Sequence, residues 1–202
     1  MLRKLYLSPL GRIISWVLRL AAFCRKPFMV YGYYNGKTRK FNKLTRISSS
    51  VKLSEKSKID VSDNVWIGHY CLLDGIGGIT IGEGVHIASH SCIYTHSSQN
   101  SIRLLGNKYI EVPAEKRPGY ILKPVVIGKY TFIGTSCVVL PGVRIGQGCI
   151  AGAGTVISKD VPDFSVVAGN PAQIVGDTKT IDEKLLAEYK CYDTYYLKRN
   201  NK

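Results

Sequence analysis

Carboxylates are scarce at the start of this chain. Its first 60 residues carry 14 Lys or Arg but only Glu55 and Asp60, a net charge of +12. The other 142 residues are close to neutral, with 14 basic side chains against 12 acidic ones. The overall +14 therefore belongs to the N-terminal quarter, a segment suited to an anionic partner. No helix-turn-helix, zinc-finger or RNA-binding signature accompanies it, so no nucleic-acid partner is expected. Paired cysteines are also lacking. Cys24, Cys71, Cys92, Cys137, Cys149 and Cys191 form no CxxC spacing, which argues against a zinc or redox site. Buried, reduced thiols and a cytoplasmic compartment are the expectation.

A membrane-spanning run is missing too. "GRIISWVLRLAAFC" is apolar at helical spacing, but Arg12 and Arg19 interrupt it. It falls short of the roughly 20 apolar residues a span needs. No small-residue cleavage site follows, so a signal peptide is disfavoured. Two readings of this helix stay open. It packs on protein, or it lies in the headgroups of an anionic membrane that residues 1–40 contact, at the inner face of the plasma membrane.

What the chain does have is a beat of six. An aliphatic residue, usually followed by Gly or Ala, recurs at Ile81, Ile87 and Ile93. It resumes at Ile127, Ile133, Val139, Ile145, Ala151 and Ile157, and Ile47, Leu53, Val61, Ile67 and Leu73 extend it upstream. Four residues after most of these lies a small or β-branched side chain, with Cys71, Cys137 and Cys149 in that slot. A helix repeats near 3.6 residues and a half-buried strand every two, so six fits neither. It fits short strands joined by tight corners, three to a triangular coil, with coils stacked about 4.8 Å apart. The length suits one domain with appendages. The expected fold is an all-β solenoid over residues 47–176. A basic amphipathic segment (1–46) precedes it, a C-terminal helix (177–202) follows, and one long loop (97–124) is extruded. Leu185, Leu186, Tyr189 and Tyr192 would lie on one face of that helix and cap the solenoid or a neighbour. Pro171 would turn the chain off the solenoid's end.

The repeat, followed by "GAGTVISKDVPDFSVVAGNPAQIV", resembles the hexapeptide-repeat acyltransferases, in particular the galactoside, maltose and xenobiotic acetyltransferase branch. The resemblance implies a left-handed parallel β-helix, a homotrimer, acetyl-CoA bound between subunits and a histidine as general base. It places Thr135, Ala153, Ser158 and Lys159 at acetyl-CoA contacts. Thr135 and Ala153 are 18 residues apart, one full coil. Where the family carries basic residues after "PA", this chain has Gln173 and Gly176, which weakens the expected hold on the 3′-phosphate.

The beat breaks after Thr95-His96, and residues 97–124 show no period. A long loop on a rigid solenoid is usually functional. His96 sits at its root, where the last regular hexad would hold a base in place. An imidazole is suited to take the proton of an attacking hydroxyl or amine. His69 and His90 fall at outward places on successive coils, either lining the cleft or simply wet. His86 is expected to be structural. Leu73 and Ile93 occupy the same face on adjacent coils, which brings Asp74 near His96. Asp74 either orients a sugar hydroxyl or is one half of an Asp-Gly turn. No metal site is expected, because the four histidines lie on different faces without a carboxylate cluster.

The expected function is acetyl-CoA-dependent O-acetylation of a sugar in bacterial surface-polysaccharide synthesis. N-acetylation of a nucleotide-linked amino sugar is an alternative, as is a non-catalytic hexapeptide-repeat scaffold.

Overall fold

The computed structural model describes residues 9–11, 13–14, 16–17, 25–189 and 194–195. Most hexads form a strand of two or three residues, because Gly or another small residue turns the backbone before a longer strand can grow. The first coil is β2 (Lys40–Ser48), β3 (Lys52–Ser54) and β4 (Ile59–Val61). β5 (Trp66–Ile67), β6 (Leu72–Asp74) and β7 (Ile79–Ile81) make the second. The third is β8 (His86–Ile87), β9 (Cys92–Ile93) and, beyond the loop, β12 (Val125–Ile127). β13 (Phe132–Ile133), β14 (Val138–Val139) and β15 (Arg144–Ile145) follow. The last coil has β16 (Ile150–Ala151), β17 (Val156–Ile157) and a bridge from Val161 to Ile145.

Corresponding strands stack in parallel, and the repeat predicts their register. Ile47 pairs with Ile67, Ile67 with Ile87, Ile87 with Ile133, and Ile133 with Ala151. On the second face Leu53, Leu73, Ile93, Val139 and Ile157 align, and on the third Val61, Ile81, Ile127 and Ile145. We call these faces A, B and C. Their inward residues form one core, with Ile67, Leu73, Ile87, Ile133 and Ile157 fully buried. Cys71, Cys137 and Cys149 occupy their expected slots inside the corners, and burial pushes their thiols upward. Coils approach too closely at the corners for a larger residue. A Cβ on Gly134 would lie 2.6 Å from the Ala151 carbonyl oxygen.

The ends differ from expectation. Residues 29–48 form an antiparallel hairpin, β1 (Met29–Asn35) on β2, and β2 runs without a break through the expected boundary at residue 46. The hairpin escapes sequence reading because its alternation is broken by a register shift between Tyr31 and Tyr33. At the other end, β18 (Ser165–Ala168) joins face A and β19 (Gln173–Asp177) folds back antiparallel on it. The chain thus turns at Pro171 but extends the sheet before leaving it. A helix, α2 (Thr178–Glu188), follows, with the Asp177 carboxylate accepting from the Thr180 N–H at 3.1 Å. Ile181, Leu185 and Tyr189 remain exposed on it, so within one protomer this face does not cap the solenoid. Tyr192 lies outside the described residues, as does most of the N-terminal apolar run. No described helix is long and apolar enough to cross a membrane.

The stacked column makes core truncation costly. Ile133→Ala should lower stability by about 2–5 kcal/mol and Ile133→Val by about 0.5–1.5 kcal/mol, checked by urea denaturation.

Candidate active site

Where the beat breaks, two neighbouring coils meet through side chains. β6 ends at Asp74, and one coil away β9 leads through Tyr94 into Thr95 and His96. Thr95 is buried and locks the crossing. Its hydroxyl donates to the Asp74 carbonyl oxygen at 2.6 Å and accepts from the Gly77 N–H at 2.7 Å. Its N–H donates to Asp74 Oδ2 at 3.2 Å. The same carboxylate oxygen lies 2.5 Å from His96 Nδ1.

Asp74 is only 4% exposed. Burial pushes its carboxyl upward, but the His96 hydrogen bond, the Thr95 N–H and the Ile76 N–H outweigh that. The net position is below the ordinary carboxylate range. An ionised Asp74 can only accept, so the proton on a neutral His96 sits at Nδ1 and leaves Nε2 with a free lone pair. The imidazole is about one-third exposed, with 33% of its side-chain surface accessible. The arrangement is a partly exposed imidazole whose tautomer is set by a buried carboxylate.

The loop is anchored at this point. β10 (His96–Ser97) pairs antiparallel with β11 (Ile121–Leu122), and the Lys123 N–H donates to the Thr95 carbonyl at 2.9 Å. Between the arms the segment is not structureless. It holds α1 (Gln99–Leu105) and short 3-10 turns, tied by the Ser101 hydroxyl to the Pro118 carbonyl. The returning arm brings the Tyr120 ring to 6.1 Å from the His96 ring. Arg117 stacks on Tyr109 at 3.9 Å and lies 5.8 Å from the Tyr120 ring. Neither Arg117 nor Tyr120 was legible in the sequence, since a loop without a period carries no register.

The other expected residues divide between two corners. Ser158 and Lys159 are exposed where face B turns into face C, on the same edge as His96. Thr135 and Ala153 lie where face A turns into face B, stacked through the Gly154 N–H on the Thr135 carbonyl at 2.8 Å. His69 and His90 share that A–B corner. The Ser136 N–H and the Thr135 hydroxyl both donate to Ser89 O, and the His90 N–H donates to His69 O. His69 Nδ1 is 2.6 Å from the Ser48 hydroxyl, and the His90 ring stacks on Tyr70 at 5.3 Å between centroids. Within one protomer, then, the structure brings Asp74 to His96 and keeps His69 and His90 apart from it by the width of face B. Asp74 itself is turned to the histidine rather than outward to an acceptor. His86 rests against Trp66, 6.0 Å between ring centroids. A separate open concavity of about 500 Å³ lies on face C, lined by Val126, Arg144 and Asp160 among others, and none of the expected site residues lines it. Among the described residues, no cluster of three His, Cys, Asp or Glu side chains is placed to hold a metal.

Residues 124–159, the coils just beyond the loop, match the bacterial transferase hexapeptide (six repeats) family. Over those coils the chain is similar to the hexapeptide-repeat transferases. The family implies the left-handed coil expected from the sequence. The chain is 29% identical over 164 residues to the Escherichia coli K12 protein named for colanic acid biosynthesis acetyltransferase, WcaF, covering 79% of this chain and 83% of that one. It is 33% identical over 114 residues to the E. coli K12 protein named for lipopolysaccharide biosynthesis O-acetyl transferase, WbbJ, covering 56% of this chain and 58% of that one. Among solved structures it resembles a maltose O-acetyltransferase from Clostridium difficile 630, with a TM-score of 0.53 and 27% identity. That match covers 64% of each chain, so this chain spans less than two thirds of that structure.

Asp74 titration has a direct consequence for stability. A carboxyl whose folded pKa is depressed contributes stability that is present above its unfolded pKa, about 3.9, and lost as pH falls through the folded value. Asp74→Asn should therefore flatten the acid limb of the melting-temperature profile below about pH 4, measured by thermal denaturation against pH.

Proposed function

We propose that this protein transfers an acetyl group from acetyl-CoA to a sugar hydroxyl in bacterial surface-polysaccharide synthesis, with His96 as the general base. The observation that carries the reading is the Asp74–His96 pair at the root of the loop. His96 Nε2 accepts the proton of the acceptor hydroxyl as that oxygen bonds to the acyl carbon. The ring then returns the proton to the departing thiolate. Asp74 holds the ring orientation and stabilises the positive charge it carries between the two steps. Asp74 is thus a positioning residue here, a role distinct from both the sugar contact and the Asp-Gly turn left open by the sequence. The names of the E. coli O-acetyl transferase and the maltose O-acetyltransferase support a hydroxyl rather than an amine acceptor.

The chain's own surface suits the co-substrate. Thr135 and Ala153 present small exposed side chains at one corner, and Ser158 and Lys159 present a hydroxyl and a cation at the other. Between them the outer side of face B is a stripe of Leu72, Cys92, Val138 and Val156, suited to a long, thin pantetheine arm. A homotrimer belongs to the same reading, since a second subunit would close over a site that is open in one protomer. It also includes a cytoplasmic position with peripheral membrane contact through residues 1–40. Gln173 and Gly176 lie exposed on β19 and supply no charge to the 3′-phosphate.

His96→Ala should lower kcat by about 10²–10⁴-fold while leaving acetyl-CoA affinity near the wild-type value. Release of free CoA thiol from acetyl-CoA and a glycan acceptor gives the rate, and a thermal shift with acetyl-CoA gives the binding. Asp74→Asn should also lower kcat while sparing that thermal shift. Near-normal turnover in His96→Ala rejects the assigned base, and no thermal shift in the wild type favours a scaffold.

A further inference from the structure

The N-terminal hairpin presents a surface that the acetyl-transfer chemistry does not use. Its inner face is spent on the solenoid. Tyr33, Asn35, Thr45 and Ile47 are buried, and the Asn35 and Asn42 side-chain amides donate to the Val61 carbonyl at 2.8 and 2.6 Å. The outer face is left with large apolar groups: Tyr31 is 74% exposed, Phe41 60% and Leu44 62%, with Tyr34 directly opposite Phe41. The tip of the Phe41 ring reaches Gly32, whose φ is +82°, and a Cβ there would meet the ring Cζ at 2.3 Å. The glycine thus lets an exposed phenyl ring settle along the strand.

Charge surrounds these rings with one sign. No Asp or Glu occurs between Met1 and Ser54, whereas Lys37, Arg39, Lys40, Lys43 and Arg46 lie on or at the tip of the hairpin. Lys37 reaches Asp60 at 3.9 Å. Upstream, the described helical residues Leu10, Ile13, Trp16 and Val17 are exposed as well.

We propose that the outer face of the β1–β2 hairpin docks on an anionic lipid bilayer. Tyr31, Tyr34 and Phe41 would enter the headgroup layer, and Arg39, Lys40 and Lys43 would meet lipid phosphates. Aromatic rings settle at the membrane–water boundary, and basic side chains gain from a negative leaflet. A second copy of this chain fits the face poorly. A two-fold contact would press one predominantly basic surface, with only Asp60 and Asp63 at its margin, on another. The inference rests on and deepens the membrane contact proposed for residues 1–40, but none of these residues lies at the Asp74–His96 site, so vesicle binding and acetyl transfer can fail separately.

Co-sedimentation of the full-length protein with vesicles tests it. Wild type should pellet with phosphatidylcholine–phosphatidylglycerol vesicles, remain in solution with pure phosphatidylcholine, and be released at about 1 M salt, where screening reaches only about 3 Å. Each Lys or Arg near an anionic surface multiplies partitioning by about five, so Arg39→Gln/Lys40→Gln/Lys43→Gln should weaken it roughly a hundredfold. Tyr31→Ser/Tyr34→Ser/Phe41→Ser should also weaken it, with the thermal melt and CoA release of wild type retained as the folding control. Equal pelleting with both vesicle types, or unchanged pelleting of both variants, overturns the proposal. So does a change in oligomeric state of the aromatic variant by light scattering without any loss of vesicle binding, since that outcome makes the face a subunit contact.

Discussion

Each coil is hydrogen-bonded through its backbone to the coils above and below, and the rest of the structure depends on that registry. The Leu72 N–H donates to the Ser91 carbonyl, the Cys92 N–H to Cys137 and the Val138 N–H to Thr155, and so on along every face. This spacing admits only aliphatic side chains inside and only small ones at the corners. It also dictates where a loop can leave. The chain departs at Thr95 and must re-enter at Val125, whose N–H takes the Gly78 carbonyl at 3.0 Å as if no residues had intervened. An insertion of this size is tolerated because its two ends are already adjacent, and lengthening a closed loop adds little entropy cost.

The candidate site follows from the same registry. Asp74 and His96 are 22 residues apart in the chain but belong to adjacent coils. Their contact is made by stacking, with Thr95 as the buried clasp. Because both backbones are held in the ladder, the imidazole is oriented before any ligand arrives, the kind of preorganisation a proton acceptor needs. The loop then adds what a rigid coil cannot, bringing Tyr120 to 6.1 Å from the His96 ring, with Arg117 5.8 Å from the Tyr120 ring, on a separately folded arm.

Chemistry and charge are segregated along the molecule. The coils beyond the hairpin are nearly neutral and carry the His96 corner, while basic groups and exposed rings gather on the hairpin that starts the solenoid. A strand pair at the end of a sheet stack has one face committed to the core and one free. The composition of the free face is therefore under no packing constraint, and here it is aromatic and cationic.

Period-six patterning was enough to determine the strands, their inward residues and their pairing partners, because a residue's distance along a fixed-pitch solenoid sets its height and face. It also brought Asp74 near His96 on the adjacent coil. The hydrogen bond between Asp74 and His96 needed the tertiary structure, since two side chains on one face can point to each other or to solvent. The helix inside the loop, the hairpin at the start and the return of β19 were not legible either. In those segments no repeat fixes the register, and side-chain contacts from distant coils decide the path.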